Sequence, residues 1–166
     1  QDPAALLASV LDAGRDAVSA AVESGRSRAA ALRAGDADVS AACREAGLEI
    51  REDPVGNTFA RWTGAHPDGP PIASGSHIDA IPNAGRFDGT VGVLGAIEAV
   101  RALRRSGFRP RASIDVVIFT AEEPTRFGLG CLGSRLLCSA LHPVAAGART
   151  DSAGRGLAEV RTAAGL

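Results

Sequence analysis

Residues 71–78, PIASGSHI, residues 89–107, GTVGVLGAIEAVRALRRSG, and residues 112–120, ASIDVVIFT, decide the fold. The outer two are short apolar runs bounded by turn residues, which read as buried strands. The middle one spaces its apolar residues as a long helix does. Strand, helix and strand in that order form a β-α-β unit, and the crossover makes the two strands parallel in one sheet. The expectation is an α/β domain: a mostly parallel sheet with helices on both faces. Within the helix, Glu98, Arg101 and Arg105 fall on one stripe at spacings of three and four, so a single charged edge should face water. Gly92 and Gly95 are poor helix formers, which close packing against the sheet would explain. GTVGVLG meets neither the GxGxxG nor the Walker A spacing, so a phosphate loop is not indicated.

Working outward from this unit, residues 48–53, LEIRED, and 57–64, NTFARWTG, alternate apolar and polar side chains on either side of DPVGN and predict a hairpin. Before it, DADVSAACREAG at 36–47 predicts a helix that Asp36 or Asp38 can cap and Gly47 can close. Residues 4–34 are Ala-rich, with Leu6, Leu7, Val10, Leu11, Val18 and Val22 at mostly helical spacings, and predict one or two further helices. The chain is thus expected to divide into an N-terminal helical segment, 1–35, and an α/β domain, 36–166. GAHPDGPP at 64–71 is a surface loop, and His66 within it reads as solvated.

Composition narrows what such a domain could do. At 166 residues, with 45% apolar residues and a mean hydropathy of +0.06, the chain can bury one real core. Eighteen basic and 19 acidic residues leave a net charge of -1, so no field favours nucleic acid or an anionic membrane. No apolar run is long enough for a membrane span, and the N-terminus lacks the layout of a signal peptide. The chain begins with Gln and contains no Met, so we expect the natural start to lie upstream. Cys43, Cys131 and Cys138 form neither a CxxC pair nor an even set, and they read as small buried hydrophobes.

The chemistry gathers where a parallel sheet binds ligands, at the carboxyl ends of its strands. HIDAIPNAGRFDG, 77–89, leaves the first strand there, and TAEEPTRFG, 120–128, leaves the second. His77, Asp88 and one glutamate of the Glu122–Glu123 pair make a nitrogen and oxygen set suited to zinc, manganese or cobalt. Asp88 could place one oxygen on each of two cations. Asp79 follows His77 by two residues, so on an extended backbone both leave the same face, and Asp79 could accept the second imidazole N–H. Neighbouring side chains diverge, so one glutamate can ligate while the other serves as general base towards the attacking water. Pro124 restricts Glu123 to extended backbone and helps to fix that geometry. Each residue has a plainer explanation: Asp88 as a helix cap, the glutamates as solvated, His77 as a satisfied polar residue. Their convergence on one sheet edge is what favours a metal hydrolase.

The motifs GSHID (75–79), FDG (87–89), EEPTRFG (122–128) and CLGSRLL (131–137), with REDPVGN (51–57), carry a resemblance. The sequence resembles the amidohydrolase and carbamoylase branch of the di-metal aminoacylase and carboxypeptidase superfamily. Within that branch it is most similar to the plant-type ureidoglycolate amidohydrolases, over roughly residues 38–166. The resemblance implies an incomplete di-metal peptidase-like catalytic domain holding two manganese ions per complete site. His77 becomes a ligand of one metal, Asp88 the bridge, Glu123 a ligand of the second metal, Glu122 the catalytic base and Asp79 its catalytic partner behind His77. The implied reaction is hydrolysis of a ureido C–N bond, (S)-ureidoglycolate giving glyoxylate, ammonia and carbon dioxide in purine (ureide) catabolism. N-carbamoyl-L-amino acids or allantoate are the alternative substrates.

The resemblance further implies a homodimer in the endoplasmic reticulum, with the cytoplasm as the alternative location, and neither nucleic acid nor membrane as partner. Two further His ligands and a lid and dimerisation domain belong to the family pattern, and the contexts of His66 and His142 do not match those ligands. The chain is therefore expected to be the N-terminal portion of an enzyme, or else a truncated, non-catalytic paralogue.

Overall fold

The computed structural model describes residues 36–85 and 87–165. The helices expected over 4–34, and the side chains of Asp36 and Asp38 expected as caps, lie outside the described residues. The elements in order are α1 (Asp36–Glu45), β1 (Glu49–Glu52), β2 (Thr58–Trp62), β3 (Ile72–His77), α2 (Thr90–Arg105), β4 (Ile114–Phe119), α3 (Leu132–Leu137), α4 (Pro143–Gly147) and α5 (Leu157–Ala163). No helix among the described residues is long and apolar enough to cross a membrane.

The β-α-β unit forms as expected. β3 and β4 are parallel neighbours, in register from Ile72 beside Ile114 to His77 beside Phe119, with α2 crossing between them. Gly75 makes the pairing close, because a Cβ there would lie 1.9 Å from the Val117 carbonyl oxygen. The predicted hairpin also forms, β1 running antiparallel to β2 from Glu49 beside Arg61 to Glu52 beside Thr58. The four-stranded sheet has the order β1-β2-β4-β3.

The α/β class stands, but the sheet is mixed, not mostly parallel. β2 joins β4 antiparallel, so only the β3–β4 pairing is parallel. The short 53–57 turn obliges β1 and β2 to run opposite ways, and the hairpin then docks as a unit on the free edge of β4. The two longest helices among the described residues also share a face. Val39 and Cys43 of α1, Val93, Ile97 and Val100 of α2, Ala60 and Trp62 of β2, and Val116 and Ile118 of β4 form one core.

The opposite face carries charge. Asp115, 2% exposed near the start of β4, receives Arg61 Nε and Nη2 at 2.7 and 2.8 Å, and the Arg51 guanidinium lies 3.9 Å from the Phe59 ring centre. A bidentate guanidinium satisfies both oxygens of a carboxylate, which is how an acid survives in a strand of buried β-branched residues.

Three smaller expectations change. The charged stripe of α2 faces α1 as well as water: Arg101 pairs with Glu98 and donates to the Ala42 carbonyl at 3.1 Å and to Glu45 at 3.4 Å. Gly92 does pack on the sheet, where a Cβ would meet Ser76 Cβ at 2.5 Å, whereas Gly95 has nothing within 4 Å and is not explained by packing. Cys43 is a buried hydrophobe, but Cys131 is half-buried and Cys138 exposed.

Candidate metal centre

β3 carries His77 to the carboxyl edge of the sheet, where the residue is 7% exposed. The turn that follows returns to the imidazole. Gly89 has φ +66 and packs so tightly on His77 that a Cβ would lie 2.5 Å from its carbonyl oxygen and 2.6 Å from ring atoms. The glycine of FDG is thus required twice, by left-handed backbone and by close approach. The cap position of α2 is Gly89, with no side-chain cap. Asp88 therefore does not serve as the plain helix cap its position suggested. Its carboxylate is 45% exposed, 3.9 Å from His77 Nε2.

The acidic loop is held from both sides. Asp79 accepts the Glu122 N–H at 3.3 Å and the Glu123 N–H at 3.0 Å, one on each carboxylate oxygen. At the start of α3 the N–H groups of Cys131, Leu132 and Gly133 donate to the carbonyls of Glu122, Ala121 and Thr120 at 2.6, 3.0 and 3.0 Å. The Cys131 thiol donates to Glu122 Oε1 at 3.2 Å, and this hydrogen bond, more than burial, pushes its pKa up. Two non-glycine residues here take positive φ, Ala121 at 47° and Cys131 at 59°.

The electrostatics around the imidazole are one-sided. His77 Nδ1 lies 2.9 Å from the Asp79 carbonyl oxygen, which can only accept, so Nδ1 carries the proton and Nε2 of the neutral ring presents a lone pair. The Asp79 carboxylate, expected to take that N–H, stands further off at 3.5 Å and grips the acidic loop instead. Facing Nε2 are Glu122 Oε2 at 3.4 Å and Asp88 Oδ1 at 3.9 Å. Burial, then the Asp88 and Glu122 carboxylates, raise the pKa of Glu123, with His77 opposing. A lone pair and several carboxylates pointing inward repel one another, and a cation at their centre reverses the sign of every contact.

The donor set fits that requirement. One ligand atom each from His77, Asp88 and Glu123 lie within 4.8 Å of one another. Opposite ligands of a first-row ion bound at about 2.0–2.2 Å are at most about 4.4 Å apart, so small side-chain adjustments suffice. Imidazole with carboxylates suits borderline divalent ions. Glu122 lies beside the triad without belonging to it. Of the other histidines, His66 is exposed in a bridge to Ala112, and His142 caps α4 by accepting the Val144 N–H at 3.3 Å.

Sequence reasoning passed over one residue of the surrounding frame, Asn57, and read another, Cys131, only as a small buried hydrophobe. Asn57 is fully buried between the hairpin turn, the end of β4 and the start of α3. Its signal was the DPVGN turn, where an Asp followed by Gly and Asn marks side-chain-to-backbone hydrogen bonding.

The family model described as peptidase family M28 matches residues 57–165. The ureidoglycolate hydrolase of Arabidopsis thaliana is 63% identical over 92 residues, 55% of this chain and 19% of that protein. The N-carbamoyl-L-amino acid amidohydrolase of Geobacillus stearothermophilus is 42% identical over 128 residues, 77% of this chain and 31% of that protein. The crystal structure of AtUAH in complex with (S)-hydroxyglycine is similar with a TM-score of 0.73 at 46% identity, covering 83% of this chain and 32% of that one. The matched part of the chain thus spans about a third or less of each of these proteins.

Proposed function

The chain belongs to peptidase family M28, and we propose that it supplies the metal-ligating and proton-transferring residues of an amidohydrolase that cleaves the ureido C–N bond of (S)-ureidoglycolate. The observation that carries this reading is the convergence of His77, Asp88 and Glu123 on one point, with Glu122 left beside it. The 63% identity to a ureidoglycolate hydrolase supports the choice of substrate.

His77 through Nε2, Asp88 and Glu123 would hold the cation, manganese in this proposal, and Asp88 has a second oxygen to share with a second ion. When bound, such an ion supplies Lewis acidity, polarising the ureido carbonyl and making water more acidic. The Asp79 carbonyl keeps the proton on Nδ1, so that Nε2 remains a donor of electrons. Glu122, its Oε1 held by the Cys131 thiol, accepts a proton at Oε2 from the water that attacks the ureido carbon, and passes it to the leaving nitrogen. The C–N bond breaks to give carbamate and hydroxyglycine. Carbamate loses carbon dioxide to leave ammonia, and hydroxyglycine expels a second ammonia to leave glyoxylate.

A carbamoyl amino acid is the second reading, favoured by the longer 128-residue match to the Geobacillus enzyme. The same residues and the same kind of bond serve either substrate. The test is ammonia release by the whole enzyme carrying this segment, with and without manganese, from (S)-ureidoglycolate and from N-carbamoyl amino acids. Manganese-dependent release from ureidoglycolate with little from carbamoyl amino acids is expected. The opposite preference replaces the substrate, and metal-independent release removes the mechanism.

A further inference from the structure

We propose that Asn57 is a positioning residue for the Glu122–Glu123 pair: its side-chain amide stands in for a peptide group between the end of β4 and the start of α3, and so fixes the acidic loop at the cation site. The inference rests on the reading of Glu123 as a ligand.

Asn57 is 0% exposed. Its Oδ1 accepts the Thr120 N–H at 3.0 Å, and its Nδ2 donates to the Gly133 carbonyl at 3.1 Å and to Asp53 Oδ2 at 2.7 Å. The Gly133 N–H returns to the Thr120 carbonyl at 3.0 Å, closing a ring of three bonds through Thr120, Asn57 and Gly133. Carbonyl and carboxylate can only accept and the amide N–H can only donate, so one orientation of the Asn57 amide satisfies all three partners. Asp53 locks the turn beneath it, accepting the N–H groups of Val55 at 3.0 Å and Asn57 at 2.9 Å. Gly133 must be glycine for this ring to exist, because a Cβ there would lie 2.1 Å from Asn57 Oδ1.

The ring ends one residue before a strained position. Ala121, at φ 47°, occupies the left-handed region that is unfavourable for a residue with a Cβ. Such a conformation persists only where the surroundings over-determine it. Asn57 pins the chain at Thr120, Asp79 pins it at Glu122 and Glu123, and the Leu132 N–H holds the Ala121 carbonyl at 3.0 Å, so Ala121 is caught among three clamps, of which Asn57 is the one on its N-terminal side. Release of the Asn57 clamp lets Ala121 relax and turns the glutamates away from His77. An amide that merely filled a polar hole in the core would affect overall stability without that directed effect.

The experiment compares Asn57→Ala with the unchanged 166-residue chain by amide hydrogen exchange and by titration with manganese alone, followed by electron paramagnetic resonance. Asn57→Ser, whose hydroxyl can satisfy only part of the ring, is used if Asn57→Ala does not fold. Exchange is expected to rise at Thr120, Glu122 and Glu123 well beyond any rise in β1, and the manganese Kd of the folded protein to rise roughly 10-fold or more. In a Glu123→Gln background the same change should cost little further affinity, because the ligand it positions is already lost. Uniform exchange, or two substitutions whose effects on Kd simply add, overturns the proposal. If Glu123→Gln alone leaves manganese binding unchanged, the ligand assignment fails instead. The exchange pattern then decides the matter: a localised rise keeps Asn57 as the clamp of the loop, and a uniform rise removes it.

Discussion

Glu122 and Glu123 are neighbours with different surroundings. Glu123 shares the triad with His77 and Asp88, while Glu122 is tied to the Cys131 thiol. Glu122→Gln preserves shape and removes the proton acceptor, so manganese binding should survive while kcat of the whole enzyme falls roughly 10² to 10⁴-fold. Glu123→Gln should instead lose metal, since a carboxamide oxygen is a poorer ligand for a divalent cation, and excess manganese should recover part of the activity. Bound manganese measured beside kcat separates the two, and metal loss in Glu122→Gln alone would exchange their roles. Gly89→Ala acts on the histidine: the new methyl meets the imidazole at about 2.6 Å, so the ring must move, and manganese affinity should fall although no ligand has been replaced. Unchanged affinity in that variant would mean that the imidazole does not bind from this position. The candidate ligands were legible because residue type and place at a strand's carboxyl end suffice to nominate them. Asn57 and Cys131 were not legible, because their roles depend on partners 63 and 9 residues away that only the folded chain brings near.

Among the elements, local pattern revealed each piece of the sheet but not how the pieces join. Alternation predicted the β1–β2 hairpin and the crossover predicted β3 beside β4, yet neither says on which edge the hairpin lands. The join is made by Arg61 and Asp115, paired across β2 and β4. Arg61→Ala leaves a buried carboxylate without its bidentate partner and should destabilise the domain by about 3–5 kcal/mol, as chemical denaturation would measure. A loss below 1 kcal/mol would show that Arg51, 3.9 Å away, replaces it. The 150–156 turn before α5 responds to acid. Hydrogen bonds, first from the Arg155 N–H and then from the Ala153 N–H, with the Arg155 and Arg126 charges, hold the Asp151 carboxyl below its usual 3.8. A lowered carboxyl pKa contributes stability that is full above the unfolded value and lost as pH falls through the folded one. The stability gap between the unchanged chain and Asp151→Asn should therefore be constant at neutral pH and shrink below about pH 4. A gap that stays constant to pH 2 would remove Asp151 from the acid response.

For the molecule as a whole, His77, Asp88 and Glu123 are the cluster among the described residues that could hold a metal ion, and three side chains would leave any ion dependent on water for the rest of its coordination. The 166-residue chain should thus bind manganese weakly, with a small rise in Tm that grows with manganese concentration and vanishes in His77→Ala. Without further ligands it should not turn over ureidoglycolate by itself. The most direct measurement is anomalous scattering at the manganese edge from crystals of the chain soaked in manganese. The account predicts a peak at bonding distance from His77 Nε2, Asp88 and Glu123, with Glu122 outside that distance; a peak bonded to Glu122 in place of Glu123, or no peak between β3 and β4 at all, would contradict it.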